Sequence, residues 1–164
     1  MSTTVVTEGY VPGCIGRITE LHARHYAQAS GFGVDFEAKV ARELAGFCLA
    51  HRPRRDGLWL ATQGERIEGS IAIDGAHADT DGAHLRWFIV SDVARGQGTG
   101  RALLRAALAF ADACGYRRVF LWTFEGLHAA RHLYETHGFA LEQQSAGSRW
   151  GRVVDEQRFV RERP

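Results

Sequence analysis

Apolar positions along the chain recur at two spacings. From Cys14 onward, Ile15, Ile18, Leu21, His25, Tyr26 and Ala29 repeat at three and four residues, which predicts a helix ending near Ser30 and Gly31. Gly31-Phe32-Gly33 breaks the chain. Asp35 then reads as the N-cap of a second helix carrying Phe36, Val40, Leu44, Phe47 and Cys48 on one face. Leu58 to Thr62 and Ile67 to Ile73 read as strands joined by the turn Gln63 to Arg66, a hairpin. Leu85 to Val90 is a third strong strand. A helix follows with Leu103, Leu104, Ala107, Leu108 and Ala111 at helical spacing, ended by Gly115. Val119 to Thr123 reads as a buried strand, and Leu127 to Thr136 as a short helix stopped at His137-Gly138. Phe139 to Gln144 and Val153 to Arg161 form the last two strands. The Val5-Val6 pair is either an edge strand or a frayed end. The order β-α-α-β-β-β-α-β-α-β-β predicts one α/β domain over residues 1–164, with a mixed central sheet flanked by helices.

Between the third strand and its helix lies Arg95-Gly96-Gln97-Gly98-Thr99-Gly100-Arg101. Glycines at alternate positions let the backbone turn sharply and approach a ligand closely. A helix N-terminus offers unpaired N–H groups and the positive end of a dipole, and the two arginines add charge. Taken alone, such a turn is as often a plain turn as a phosphate site. Its chemistry suits a phosphate or pyrophosphate. Two familiar nucleotide motifs are excluded directly. GxxxxGK(S/T) is absent, and GxGxxG fails because Arg101 and Leu103 stand where its last glycine would fall.

Composition narrows the partners. The chain is 45% hydrophobic and 24% charged, enough for one sizeable core. A net charge of +1 gives no reason to expect a nucleic-acid partner, so positive potential must be local. No apolar run approaches a membrane span, and the first residues lack the apolar core of a signal peptide. Cys14, Cys48 and Cys114 are odd in number and widely spaced, which predicts reduced thiols in a cytoplasmic protein. His128 and His132 stand four apart on a helix, a metal-like spacing, but they have no third ligand in context and read as a solvated face; no metal is expected.

Arg95-x-x-Gly98-x-Gly100 resembles the acetyl-CoA pyrophosphate loop, Arg/Gln-x-x-Gly-x-Gly/Ala, of the GNAT N-acetyltransferase superfamily. That superfamily often shows Asn-x-x-Ala-x-x-x-Tyr followed closely by Gly-Phe after the next strand. Here Ala130, Tyr134 and Gly138-Phe139 stand at those positions, and Leu127 departs at the asparagine. The likeness covers residues 58–140 best. Leu21-His22-Ala23-Arg24-His25-Tyr26 resembles the first helix of acetyltransferase domains attached to MarR-type regulators.

The resemblance implies a GNAT-like fold and transfer of an acetyl group from acetyl-CoA to an amine of a small molecule or peptide. It implies that the N–H groups of Gly96, Gln97, Gly98, Thr99 and Gly100 hold the pyrophosphate, with Arg95 and Arg101 beside them. Phe88 and Val90 would offer backbone groups to the pantetheine arm and the thioester oxygen. Ala130 would face the cofactor, and Tyr134 would face the sulfur as general acid. For the base, the strand from Leu85 to Val90 holds no carboxylate. His84 at its start has an intrinsic pKa of ~6.5 that suits the task, with His22, His25 and Glu125 as rivals. Trp150, in the loop before the last strand, is expected at the acceptor site. The acceptor itself, and the choice between monomer and homodimer, stay open. A non-catalytic acyl-CoA sensor of the same fold is the rival function.

Overall fold

The computed structural model describes residues 3–163. Its elements follow the predicted order: β1 (Thr4–Glu8), α1 (Cys14–Ser30), α2 (Val34–Leu49), β2 (Gly57–Gln63), β3 (Arg66–Asp74), β4 (Ala83–Val90), α3 (Thr99–Ala113), β5 (Arg118–Phe124), α4 (His128–Thr136), β6 (Ala140–Gly147) and β7 (Val154–Glu162). The strands form one sheet in the order β1-β2-β3-β4-β5-β7-β6. Every neighbouring pair is antiparallel except β4–β5. The Val5-Val6 pair is an edge strand, in register with Thr62 and Ala61 of β2.

Strand alternation sends successive side chains to opposite faces, and each face has its own core. On β2, Trp59 and Ala61 join α3 residues Leu103, Leu104 and Ala107, with Tyr134 and Phe139 beyond. Leu58 and Leu60 join Ile18, Phe36, Val40 and Leu44 of α1 and α2 on the other face. The sheet is thus sandwiched between two helical layers.

One boundary differs from expectation. The N-cap of α2 is Gly33, not Asp35, and no side chain caps this helix. The extended backbone of Gly33 leads straight into Val34, so Asp35 lies in the first turn. Its carboxylate there complements the helix dipole instead of bonding the end N–H groups.

Two features open the sheet at its centre. β4 and β5 pair only at Ala83–Val119 and His84–Phe120, and beyond that point the strands splay. In addition, Ser70 pairs with Ile89 but Ala72 with Arg86, so β4 carries one extra residue against β3. The bulge centres on Trp87, which adopts φ 49°, a left-handed conformation rare for a bulky residue. The Ser70 hydroxyl donates to the Trp87 carbonyl at 2.7 Å and fixes the bulge.

Candidate active site

The splay between β4 and β5 holds two cavities that meet. The larger, about 660 Å³, is lined by Val90, Ala94, Arg95, Gly96, Gly98, Thr99 and Gly100 on one side. Leu127, His128, Ala130, Leu133 and Tyr134 line the other. The smaller, about 190 Å³, lies toward α2 and the 148–151 loop. Tyr26, Phe88, Thr123 and Tyr134 line both, so they stand at the junction.

The loop of the larger cavity is built for an anion. Gly96 and Gly98 have φ 76° and 78°, conformations that glycine alone adopts readily. Gly98 is the N-cap of α3, whose first backbone hydrogen bond runs from Ala102 N–H to Gly98 O at 3.0 Å. The N–H groups of Thr99, Gly100 and Arg101 therefore precede the helical ladder. The buried Thr99 hydroxyl donates to the Ala94 carbonyl at 3.3 Å and closes the loop on itself.

Two expected loop side chains lie outside the cavity. The Gln97 amide oxygen accepts from Gln63 at 3.0 Å, and its Nε2 donates to the Val93 carbonyl at 3.2 Å, which ties it to β2 and to its own turn. Arg101 is exposed on α3, whose turn sends Leu103 and Leu104 inward and Arg101 outward. Arg95 lines the cavity, but its guanidinium also donates to the Val90 carbonyl at 3.2 Å and contacts Asp92 and His25 at 2.7 and 3.1 Å. The Val90 carbonyl, expected to face the pantetheine arm, is therefore engaged by Arg95. Leu127, at the asparagine position, supplies an apolar wall.

Tyr134 sits on α4 with its ring buried between Phe88, Phe139 and Phe159, at centroid distances of 6.1, 5.9 and 6.1 Å. Its hydroxyl makes no hydrogen bond among the described residues, and it is not one of the sealed orphan atoms. Burial raises its pKa, so it keeps its proton at physiological pH.

Histidines divide between the cavities. His84 lines the smaller one, half-buried and stacked on Phe120 at 4.4 Å. Burial first, then the charges of Arg86, Arg149, Arg158 and Lys39, hold its pKa well below the ordinary value. It is a neutral and weak base, unlike the unperturbed imidazole expected from sequence. His22 lines the same cavity. Its Nδ1 lies 2.8 Å from the Ile18 carbonyl, which assigns the proton to Nδ1 and leaves Nε2 as an acceptor. His25 lies on the other side, against Arg95, and Glu125 lines neither cavity because Gln144 holds it at 2.9 Å on the surface. Trp150 lines the smaller cavity as expected, packed on Phe124 at 5.5 Å. Lys39, Glu43, Arg86 and Arg149 also line it, and nothing in their local sequence signals that role.

Burial of His22 has a measurable consequence. Its pKa falls to about 4. In an unfolded chain it is ~6.5. Between these values the native state binds fewer protons than the unfolded state, so stability falls as pH drops through that window. Urea unfolding should show wild type losing about 2 kcal/mol between pH 7 and pH 5 through this residue. A His22→Gln variant should lack that part of the loss, and an identical pH slope in the two proteins would contradict it.

Residues 17–139 match the model of the acetyltransferase (GNAT) family. The chain belongs to the GNAT acetyltransferase family. Human N-acetyltransferase 8B is 33% identical over 100 residues, 59% of this chain. The match spans only 44% of that relative's length. An acetyltransferase from Streptococcus agalactiae shares the fold at 21% identity and a TM-score of 0.74, over 98% of each chain. The acetyltransferase yncA from Salmonella typhimurium, solved with its cofactor acetyl-CoA, is 17% identical with a TM-score of 0.76, over 97% of this chain and 93% of its own. Among the described residues of this GNAT chain, no helix is long and apolar enough to cross a membrane.

Proposed function

We propose that this GNAT chain is an N-acetyltransferase that moves the acetyl group of acetyl-CoA to a primary amine of a small molecule or peptide. The observation that carries the reading is the junction at Tyr134: the cavity walled by the glycine-rich loop and the smaller cavity meet at a tyrosine whose ring is buried and whose hydroxyl, not sealed off, has no protein partner among the described residues. The larger cavity fits the donor, with loop N–H groups for its pyrophosphate and the open edge of β4 for its pantetheine arm. No cysteine lines either cavity, which favours direct attack by the amine within a ternary complex over an acyl-enzyme.

The amine nitrogen attacks the thioester carbonyl, and the carbon–sulfur bond breaks as the tetrahedral centre collapses. A backbone N–H near the Trp87 bulge stabilises the developing oxyanion, an effect worth ~3 kcal/mol in acyl-transfer sites. Tyr134 gives its proton to the departing thiolate. The amine proton passes to a neutral imidazole, His84 or the Nε2 of His22. His22 is favoured by its fixed tautomer and His84 by its place on β4. The three free thiols support a reducing, cytoplasmic setting. The finer likeness of the first helix to domains attached to MarR-type regulators rests on Leu21–Tyr26 alone.

The test is thiol release from acetyl-CoA with a panel of amines, alongside calorimetry of acetyl-CoA binding. Amine-dependent release is expected. Binding without release with any amine would make the chain a sensor.

The base has its own test. His84→Gln should lower kcat/KM by about 10²–10⁴-fold if His84 takes the proton, and His22→Gln is the parallel test of His22. Both imidazoles are neutral at pH 7, so between pH 6 and 8 log kcat/KM should rise with unit slope from the acceptor's own ionisation. A further limb centred near 6.5 in wild type would overturn the assignment of a depressed pKa.

A further inference from the structure

Charge in the smaller cavity is lopsided. Lys39, Arg86 and Arg149 line it against one carboxylate, Glu43. Lys39 bonds Glu43 at 2.6 Å, and Arg86 bonds it too while approaching Asp74 at 3.8 Å. These two cations are occupied. Arg149 is only partly so. Its guanidinium carbon lies over the Trp122 ring, 3.9 Å from the centroid. Its peptide N–H and its Nε reach Glu156 at 2.8 and 3.4 Å. Both terminal nitrogens of the fork are then left without a protein partner among the described residues. Arg158 lies next to it, 4.4 Å over the Phe120 ring, and its Nε is buried without a hydrogen bond. Beside the histidines, Phe36, Phe124 and Trp150 supply apolar wall.

We infer that the acceptor is a small amino acid with an apolar body, and that Arg149 holds its carboxylate at the mouth of the acceptor cavity. The inference rests on the acetyl-transfer reading above. A planar fork pinned on an aromatic face matches the two oxygens of a carboxylate. The pinning also means that little side-chain freedom is lost on binding. A bare ammonium entering the same cavity meets three cationic side chains, each already paired with a carboxylate, and no free carboxylate to bind. A carboxylate on the acceptor offsets that repulsion, and the apolar walls take its side chain.

Steady-state acetylation at saturating acetyl-CoA tests this, with leucine, methionine and phenylalanine, their amides, and the carboxylate-free phenethylamine and spermidine. Wild type should prefer each acid over its amide by about 10- to 150-fold in kcat/KM, as one charged hydrogen-bonding contact allows. The difference should lie mainly in KM. The amide has the more acidic ammonium and more free base at pH 7.5, so ionisation works against this preference. In Arg149→Gln the acid-to-amide ratio should collapse toward one, and Arg149→Lys should recover only part of it. Acetyl-CoA affinity measured on each variant shows that the fold and donor site persist. Equal rates for acids and amides, release only with the carboxylate-free amines, or a ratio that survives in Arg149→Gln would overturn the inference while leaving acetyl transfer standing. Absence of release with every amine would overturn the transfer reading, and this inference with it.

Discussion

Replacing Gly98 with valine is expected to remove acetyl-CoA binding from calorimetry while the protein stays folded. Gly98 holds φ 78° at the N-cap of α3, in the loop proposed to hold the pyrophosphate. A Cβ added there meets no protein atom within 4 Å, so the new side chain does not collide with the core. Under the proposed function, a side chain on this cavity-lining residue takes space that the pyrophosphate needs. The conformational cost is about 1–2 kcal/mol for a left-handed L-residue, somewhat more with β-branching. Against a native stability of ~5–15 kcal/mol, that lowers the melting temperature without unfolding the chain. Circular dichroism should match wild type, and amine-dependent thiol release should vanish together with binding. A folded Gly98→Val protein with unchanged acetyl-CoA affinity would mean that the loop is not the cradle.

Tyr134→Phe should lower kcat by about 10²–10⁴-fold with little change in acetyl-CoA affinity or melting temperature. The substitution keeps the ring among Phe88, Phe139 and Phe159 and deletes only the hydroxyl. A hydroxyl that anchored the core would cost ~1–3 kcal/mol on removal, because its buried partner would be left unpaired. Tyr134 has no such partner, so stability should barely move. Proton transfer from a tyrosine of pKa ~10 to a thiolate of conjugate-acid pKa ~8.5 is uphill by only about 2 kcal/mol. Burial raises both groups in the same direction, which keeps that gap small. The loss should appear in kcat and kcat/KM alike, since the proton is needed only as the thiolate departs. Full kcat in Tyr134→Phe, where chemistry limits the rate, would remove the residue from the mechanism.

The order of the elements was legible along the chain, and so was the glycine-rich turn into α3. Periodicity reports burial within one element, and the alternation of Leu58 and Leu60 against Trp59 and Ala61 reappears as two cores on opposite faces. The turn was legible because everything it needs is local: glycines at alternate positions between a strand and a helix. The cap of α2 was misassigned because Asp35 and the extended Gly33 compete for the same helix start, and side-chain preference cannot weigh backbone geometry. The bulge at Trp87 left no signal, since it arises from a register offset between β3 and β4 and not from any residue preference. The smaller cavity was mostly invisible. Trp150 was singled out from its loop, but Lys39, Glu43, Arg86 and Arg149 come from α2, β4 and a loop about a hundred residues beyond α2. Their convergence depends on the splay of β4 from β5, a long-range feature of the sheet. Residue type and spacing encode what one segment buries. They carry no record of which distant charges a sheet will bring to one opening.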